Sequence, residues 1–255
     1  MSIQVKQISC LDDNYGFLVH DTATGSTASI DTPEVEPINK ALADEGWTLT
    51  HILNTHHHFD HAGGNEALKA KWSCQVIGAA NDAERIPGID RQVVDGEVFE
   101  LGSASVQVLE VPGHTSGHIA YHFADDKVAF VGDTLFALGC GRMFEGTAEQ
   151  MWSSLEKLMA LPDETLVYCA HEYTQANAAF AITVEPDNQA LQARVEEIAS
   201  LRAQGIPTVP TSIGLERQTN PFVRPDSGNL QQTIDLVGAD PVAIFAETRK
   251  RKDHF

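Results

Sequence analysis

A histidine-rich stretch that directly follows a short apolar run is the feature of this sequence that most restricts its fold. The run His51–Asn54 predicts a buried strand, and Thr55–His61 then supplies four histidines and one aspartate before Gly63 and Gly64. An alanine-rich helical pattern follows. The cluster therefore lies between a strand and a helix, where open α/β sheets place their functional sites. We expect an α/β fold with a metal site, because imidazole and carboxylate groups together suit zinc and similar ions.

The spacing of the histidines indicates how they could share metal ions. Alternate residues of an extended segment point the same way, so His56 and His58 could bind one ion together. Asp60 and His61 are consecutive and should diverge, which would let them turn toward a second ion. Four donors complete one structural zinc site, whereas two ions require further donors elsewhere in the chain. A surface tract that merely scavenges metal is disfavoured, because the cluster lies inside a strand–helix pattern and not at a terminus.

Length, charge and cysteine content narrow the class of protein. The 255 residues suffice for one large domain or one and a half, and the net charge of −19 opposes binding to nucleic acid or to an anionic membrane. No apolar run approaches the roughly 18 residues of a membrane span, and the start shows no secretory signal. The four cysteines form no C-x-x-C pair, so we expect a reduced, cytoplasmic setting. We also expect a monomer.

Periodic patterns divide the chain into an α/β part and a helical part. Segments with helical character are predicted at 33–45, 65–72, 147–161, 176–183, 187–204 and 241–250. Short runs with strand character alternate with the first three of these, and residues 12–15 are predicted as the turn between the first two strands. After His171 the patterns are helical only. We therefore expect an α/β catalytic domain over residues 1–170, followed by a helical domain over residues 171–255.

Three further strand ends carry residues of the metal-binding type. His114 lies in a glycine-rich turn after a strand-like run, and Asp133 and His171 each come just after another. Each residue alone would be explained more simply as a turn former or a helix cap. Their coincidence with the histidine stretch matters, because strand ends meet at one edge of a sheet and these side chains could converge there. A carboxylate has two oxygens, so Asp133 is the candidate for a bridge between two ions.

The predicted donor set comprises seven nitrogen and carboxylate groups, namely His56, His58, Asp60, His61, His114, Asp133 and His171. One ion cannot use seven donors, but two ions that share a carboxylate can, with positions left for water. A water between two divalent ions would become hydroxide near neutral pH and could attack a carbonyl. Asp60 could both bind metal and orient this hydroxide, so Asp60 and Asp133 are the candidate catalytic residues.

These motifs resemble the metallo-β-lactamase superfamily. The likeness rests on Thr55–His61, Gly113–Thr115, Gly132–Asp133 and His171, and Asp31 resembles the carboxylate that supports the superfamily's metal site. The resemblance implies an αββα sandwich followed by a helical, substrate-binding domain. It also implies two divalent ions, one at His56, His58 and His114 and the other at Asp60, His61 and His171, with Asp133 between them. We expect Zn²⁺, with iron or manganese as alternatives.

Later motifs narrow the resemblance to the glyoxalase II family of hydroxyacylglutathione hydrolases. They are Asp13–Tyr15, Gly139–Thr147, His171–Thr174 and Arg249–Phe255, so the likeness covers nearly the whole chain. The resemblance implies hydrolysis of S-(2-hydroxyacyl)glutathione, typically S-D-lactoylglutathione, to D-lactate and glutathione by a hydroxide that bridges the metals. This reaction is the second step of methylglyoxal detoxification. A thiolate with a parent pKa of about 8.5 leaves without a dedicated acid, so no second pair of carboxylates has to be found.

The resemblance also implies the side chains that contact glutathione, namely Arg142, Phe144, Tyr173, Arg249 and Lys252. Family members often have tyrosine where this chain has Phe144, and loss of that hydroxyl would weaken binding modestly. Glutathione is a net anion. The last seven residues carry +3 and the preceding 248 carry −22, so the basic end could anchor the substrate that the acidic body repels. Without the resemblance, the basic run would more simply complement the negative end of the last helix.

Three alternative functions stay open at this point. A hydrolase for lactones or β-lactams could use the same metals, although the glutathione-side motifs argue against it. An iron oxygenase of the same superfamily, which oxidises persulfides, would need only part of the donor set. A non-enzymatic metal-binding protein would need a closed site without exchangeable water. Turnover of a panel of esters and oxygen uptake distinguish these alternatives from the thioesterase.

Overall fold

The computed structural model describes residues 3–255 as two compact units. The first comprises the described residues as far as Glu110 together with Ser116–Gly132, and the second comprises Val111–Thr115 and Asp133–Phe255. Neither unit ends at residue 170, and the domain boundary predicted there stays a prediction. Among the described residues, no helix is both long and apolar enough to cross a membrane.

The first unit is built from two β-sheets with helices. Its strands are β1 (Ile3–Cys10), β2 (Asn14–Asp21), β3 (Thr27–Ile30), β4 (His51–Leu53), β5 (Gln75–Ala79), β6 (Arg91–Val93), β7 (Val98–Leu101), β8 (Ala104–Glu110), β9 (Ile119–Phe123) and β10 (Val128–Gly132). Its helices are α1 (Val35–Glu45), α2 (Phe59–Ala62) and α3 (Asn65–Trp72). The first sheet has the order β1 to β6, antiparallel as far as β3 and parallel from β3 onward. Strands β7 to β10 form an antiparallel meander.

The two sheets of this unit face each other across an apolar core. Phe17 of β2 and Phe130 of β10 approach with their ring centroids 5.4 Å apart. The buried Tyr121 hydroxyl of β9 donates to the carbonyl of Asn54 at 2.9 Å, which links the second sheet to the chain that leaves β4. Full burial of a large apolar side chain stabilises the fold by roughly 1.5–3 kcal/mol. This core therefore holds β4 in place, and with it the start of the histidine stretch.

Helices α1 and α3 cover the opposite face of the first sheet. Ile38 and Leu42 of α1 and Leu68 of α3 join a core cluster with Ile52 of β4. The apolar spacing of α1 predicts this packing. The helix ends as predicted at Gly46, whose φ of 70° is a left-handed conformation that glycine adopts without strain.

The second unit is mainly helical. Its helices are α4 (Ala148–Met159), α5 (Thr174–Val184), α6 (Gln189–Ala203), α7 (Ile213–Thr219), α8 (Gly228–Thr233) and α9 (Pro241–Asp253). Strands β11 (Leu135–Phe136) and β12 (Gly139–Cys140) form a hairpin, and β13 (Leu166–Cys169) pairs with β14 (Thr211–Ser212). Helix α4 begins with a capping box, in which Thr147 Oγ1 accepts from Gln150 N and Gln150 Oε1 accepts from Thr147 N.

Several short elements are absent from the sequence prediction. These are α2, β6, β11, β12, β14, α7 and α8, each of two to seven residues. Such segments are too short for a hydrophobic period to show. The turn predicted at 12–15 ends two residues earlier than predicted. Asn14 and Tyr15 already belong to β2, and Asn14 pairs with Cys10 of β1.

Candidate metal centre

The first unit carries four of the predicted ligands between β4 and α3. Strand β4 lies between β3 and β5 in the parallel part of its sheet, and its apolar side chains are fully buried. His56 and His58 lie in the segment that follows this strand, whereas Asp60 and His61 belong to the helical turn α2. The histidine stretch therefore lies between a strand and a helix, as the sequence predicts.

His56 and His58 point toward each other. His56 Nε2 and His58 Nδ1 lie 3.0 Å apart, in agreement with the alternation expected of an extended segment. His118 packs against the His56 ring with a centroid distance of 4.6 Å and restricts its orientation. His57 is bound elsewhere, since its Nδ1 lies 3.0 Å from Asp82 Oδ2. The omission of His57 from the predicted ligands stays a prediction.

Asp60 and His61 lie closer together than the sequence predicts. Asp60 Oδ2 is 3.6 Å from His61 Nε2, although consecutive side chains of an extended segment should diverge. The reason is α2, because neighbouring side chains in a helical turn are only about 100° apart. Asn14 Nδ2 donates to the same Asp60 oxygen at 3.0 Å. The sequence marks Asn14 as part of a family motif but gives no sign of this contact.

Asp31 supports the histidine stretch from the end of β3. Its Oδ1 accepts from Thr55 N at 2.7 Å, and its Oδ2 lies 2.8 Å from both Thr55 Oγ1 and His61 Nδ1. A carboxylate accepts hydrogen bonds, so the His61 proton lies on Nδ1 and the lone pair lies on Nε2. Carboxylates orient metal-binding histidines in this way.

The second unit carries the other three predicted ligands. Asp133 Oδ2 lies 3.5 Å from His114 Nε2 and 3.4 Å from His171 Nε2. All three side chains are buried. A buried carboxylate is costly unless positive charge compensates it, and a divalent cation would supply that charge.

The His114 ring is fixed by the backbone of the same unit. Its Nδ1 donates to the Arg142 carbonyl at 2.8 Å, which leaves the lone pair on Nε2. Gly141 permits this arrangement, because a Cβ there would lie 1.9 Å from the Asp133 carbonyl oxygen. The His171 ring stacks on Tyr173 with a centroid distance of 4.6 Å and an angle of 6°.

The chemistry of this donor set fits divalent metal ions. Each of the seven predicted ligands belongs to a group of at least three histidine and carboxylate side chains that could hold a metal. In His61 and His114 the Nδ1 atom is engaged by an acceptor, so each ring keeps Nε2 for an ion. Neutral imidazole and carboxylate are ligands that zinc, iron and manganese share.

Comparisons with known proteins identify the family. The sequence model of the metallo-β-lactamase superfamily matches residues 16–171, and that of the hydroxyacylglutathione hydrolase C-terminus matches residues 172–255. The hydroxyacylglutathione hydrolase of Rhodospirillum rubrum is 56% identical over 100% of this chain and 99% of its own. That of Methylococcus capsulatus is 56% identical over 99% of each chain. This chain belongs to the hydroxyacylglutathione hydrolase family.

Solved structures agree with the fold of the family. ETHE1 from Myxococcus xanthus has a TM-score of 0.67 at 29% identity and covers 98% of both chains. The protein TTHA1623, solved in a di-iron-bound form, has a TM-score of 0.62 at 25% identity over 84% of this chain and 98% of its own. Together with the family models, these matches confirm the predicted α/β metallo-β-lactamase fold with a C-terminal helical domain.

The side chains that the family resemblance assigns to glutathione all lie in the second unit. The Arg142 side chain is 67% exposed, and Phe144 and Tyr173 are also exposed. The Phe144 ring lies 5.1 Å from the His114 ring, and the Tyr173 ring stacks on His171 as described. Phe144 and Tyr173 are thus accessible next to predicted metal ligands, whereas Arg142 Nε lies 3.9 Å from Asp253 Oδ1.

The two family positions on α9 are more enclosed. Arg249 is only 4% exposed, and its guanidinium donates to the Cys140 carbonyl at 2.9 Å and pairs with Asp253 at 2.9 Å. Lys252 Nζ donates to the Ala176 carbonyl at 3.0 Å. Burial, together with the charges of Arg249 and Arg142, lowers the pKa of Lys252. The role in glutathione binding predicted for these residues stays a prediction.

One cysteine near the predicted ligands has a buried thiol. Cys169 ends β13 two residues before His171 and is fully buried. Burial raises the pKa of the Cys169 thiol to about 12, so the nucleophilic thiolate is scarcely populated at neutral pH.

Proposed function

We propose that this chain is an enzyme that hydrolyses the thioester of S-(2-hydroxyacyl)glutathione, typically S-D-lactoylglutathione, to D-lactate and glutathione. The observation that carries the proposal is the 56% identity to proteins named hydroxyacylglutathione hydrolase over nearly their full length. The match of residues 172–255 to the C-terminal family model adds to it, because the superfamily motif alone indicates a metal site and not a substrate. The reaction would be the second step of methylglyoxal detoxification.

The proposal includes two divalent metal ions per chain. The predicted ligands of one ion are His56, His58 and His114, those of the other are Asp60, His61 and His171, and Asp133 is shared. Support comes from the family resemblance and from the chemistry of the donors. We expect Zn²⁺, while the same ligands suit iron or manganese.

The mechanism assigns roles to side chains of this chain. When bound, divalent ions acidify water to hydroxide near neutral pH and polarise a carbonyl. The Asp60 carboxylate, which Asn14 holds at 3.0 Å, orients the attacking group toward the thioester carbon. Asp31 and the Arg142 carbonyl keep the His61 and His114 rings in one tautomer. The glutathione thiolate leaves without a proton donor, because its parent pKa is about 8.5.

The second unit offers a basic group of side chains for the glutathione carboxylates. Burial, and then the charges of Arg249 and Arg142, lower the pKa of Lys252, whereas the Asp253 carboxylate raises it, so Lys252 lies in an environment that disfavours its positive charge. A bound anion would favour the charged form of Lys252. We assign the carboxylate contacts to Arg142 and Lys252, with Tyr173 beside them and Phe144 as an apolar contact. Arg249 would not contact the substrate directly, since its guanidinium is buried and donates to the Cys140 carbonyl.

Replacing Arg142 by alanine is expected to raise KM for S-D-lactoylglutathione roughly tenfold and to change kcat by less than about twofold. A hydrogen bond between charged groups contributes about 1.5 kcal/mol, which corresponds to a tenfold change in affinity. Steady-state kinetics measure both constants. Lys250→Ala is the matched control, because Lys250 is an exposed cation of α9 at 69% exposure and pairs with Glu247. An equal rise of KM in both variants would show general attraction and contradict the assigned contact.

The proposed setting follows from charge and composition. We propose a cytoplasmic monomer whose partner is the small-molecule thioester. The net charge of −19 disfavours nucleic acid and anionic membranes as partners. The free cysteines Cys10, Cys74, Cys140 and Cys169 suit a reducing compartment.

The test is hydrolysis of S-D-lactoylglutathione by the purified protein, with metal content measured on the same sample. Rapid turnover with about two metals per chain, lost on chelation and restored by Zn²⁺, supports the proposal. Two metals without thioester turnover would overturn it and direct attention to lactones and β-lactams, which the same assay series includes. One iron with oxygen uptake in the presence of a persulfide would instead favour the oxygenase.

A further inference from the structure

The hairpin formed by β11 and β12 adjoins all three predicted ligands of the second unit. It begins two residues after Asp133. It ends two residues before Arg142, whose carbonyl accepts from His114 Nδ1 at 2.8 Å. Its Phe136 ring packs edge-on against the His171 ring with a centroid distance of 5.9 Å. A shift of this hairpin would therefore displace the surroundings of each ligand.

Four buried polar side chains from the helical segment bind the backbone of this hairpin. We call them the hairpin clamp, and they are Asn177 of α5, Glu216 of α7, Asn220 just after α7, and Arg249 of α9. Asn177 Nδ2 donates to Ala137 O at 3.1 Å, Asn220 Nδ2 to Phe136 O at 3.3 Å and Gly139 O at 3.0 Å, and Arg249 Nη1 to Cys140 O at 2.9 Å. Glu216 Oε2 accepts from Leu138 N at 2.9 Å.

The tip of the hairpin is held in a conformation that most residues avoid. Leu138 has a φ of 59°, in the left-handed region that usually takes glycine. Its side chain is fully buried in a cluster with Ala178 and Ala181 of α5 and Leu191 of α6. A strained residue persists when its surroundings over-determine it, and such residues concentrate at functional sites. The clamp and this cluster together provide that constraint.

Glu216 is the centre of the clamp. Its Oε1 accepts from Arg194 Nη2 at 2.6 Å and from Thr211 Oγ1 at 2.5 Å, and its Oε2 accepts from Asn220 Nδ2 at 2.9 Å as well as from Leu138 N. Both oxygens thus face hydrogen-bond donors, and the side chain is fully buried. One carboxylate therefore fixes the hairpin and a second clamp residue at the same time.

We propose that the hairpin clamp is a set of positioning residues for the metal ligands of the second unit. The helical segment would then do more than contact substrate, because it holds the hairpin that places Asp133 and orients His114 and His171. The inference rests on the proposed function for its metal site. The hydrogen bonds between the clamp and the hairpin, however, can be tested in the protein without metal. Arg249 would then affect the metal ligands indirectly, through its hydrogen bond to the Cys140 carbonyl of the hairpin.

Glu216→Gln tests the proposal and Glu185→Gln is its matched control. In glutamine, one of the two positions is an amide nitrogen, which would face hydrogen-bond donors in either orientation. At the Oε2 position it would face Leu138 N and Asn220 Nδ2, and at the Oε1 position it would face Arg194 and Thr211. Either orientation weakens the hold of this side chain on the hairpin. Glu185 is also a buried glutamate of the second unit, where it accepts from Arg224 Nε at 3.1 Å and from Ser227 Oγ, not from the hairpin. Thermal unfolding of both variants measures the general cost of losing a buried ion pair.

Two readouts separate positioning from stability. In the metal-free protein, the NMR signal of the His114 Nδ1 proton is expected to shift and to exchange faster with water in Glu216→Gln, and to stay unchanged in Glu185→Gln. Zn²⁺ affinity, measured by competition with a chromogenic chelator, is expected to fall at least about tenfold in Glu216→Gln only, as for other groups that support ligands. Asn177→Ala, which removes one clamp contact, should show a smaller change in the same direction and serves if Glu216→Gln does not fold.

Equal losses of Zn²⁺ affinity in the two glutamine variants would overturn the proposal, because the clamp would then act only through general stability. An unchanged His114 signal in both Glu216→Gln and Asn177→Ala would also overturn it. Failure of the proposed function looks different. If the unaltered protein binds metal but does not hydrolyse the thioester, the substrate assignment is wrong while both readouts still report on the clamp.

Discussion

Asp133→Asn is expected to lower the rate of S-D-lactoylglutathione hydrolysis about a thousandfold and to reduce the bound metal per chain. One Asp133 oxygen lies within 3.5 Å of Nε2 of both His114 and His171, so it is placed to be shared. Asparagine removes the negative charge and one of the two oxygens. Loss of a charged ligand costs several kcal/mol of stabilisation at the transition state, and about 4 kcal/mol corresponds to a thousandfold. Steady-state kinetics and elemental analysis of the same sample measure both effects.

Asp126→Asn is the control for this variant. Asp126 lies in the turn between β9 and β10, and its 6% exposure equals that of Asp133. Its Oδ1 accepts from Ile3 N, so the substitution also disturbs a buried carboxylate. Metal content and kcat should stay close to those of the unaltered protein in Asp126→Asn. Retention of both metals and of most activity in Asp133→Asn would refute the shared-ligand assignment.

The part of the candidate metal centre that depends on local spacing could be predicted from the sequence. The facing nitrogens of His56 and His58 follow from the alternation of an extended segment, and the position of both residues after β4 follows from the apolar run that precedes them. The close approach of Asp60 to His61 could not be predicted from spacing, because α2 is one turn of four residues and gives no period. Only the family resemblance assigns both residues to one ion. Local rules fail where an element is shorter than the pattern that reveals it.

The hairpin clamp shows a second limit of sequence reasoning. Its contacts to the hairpin join residues that are 40 to 109 positions apart. A single asparagine or glutamate carries no pattern that indicates such partners. The predicted metal ligands, in contrast, can be recognised by their residue types at strand ends. Arg249 illustrates the same limit, because nothing in its charged run indicates that its guanidinium is buried. One side of α9 instead buries Phe245 and Arg249 together.

Asp31→Asn is expected to lower Zn²⁺ affinity and kcat/KM about 10- to 100-fold, the usual effect of losing a group that orients a ligand. The Asp31 φ of 55° is a left-handed conformation that asparagine tolerates, so the substitution changes the hydrogen bonds and leaves the backbone in place. The new amide nitrogen must face either Thr55 N or His61 Nδ1, which are both donors. Thr55 N cannot accept a hydrogen bond, whereas the His61 ring can by moving its proton, so the amide nitrogen is expected to face His61. His61 would then carry its proton on Nε2, the atom that the ion requires.

The matched control is Asp21→Asn in the same unit. Asp21 is also fully buried and accepts from Ser103 N at 2.8 Å, from Ser103 Oγ at 2.9 Å and from Thr24 Oγ1 at 2.6 Å. These hydrogen bonds hold the pKa of Asp21 below its usual range, so Asp21→Asn should lower the thermal unfolding midpoint. Competition with a chelator should nevertheless give an unchanged Zn²⁺ affinity for Asp21→Asn. If Asp31→Asn loses stability but keeps its Zn²⁺ affinity, Asp31 is a structural carboxylate like Asp21, and the tautomer of His61 does not control metal binding.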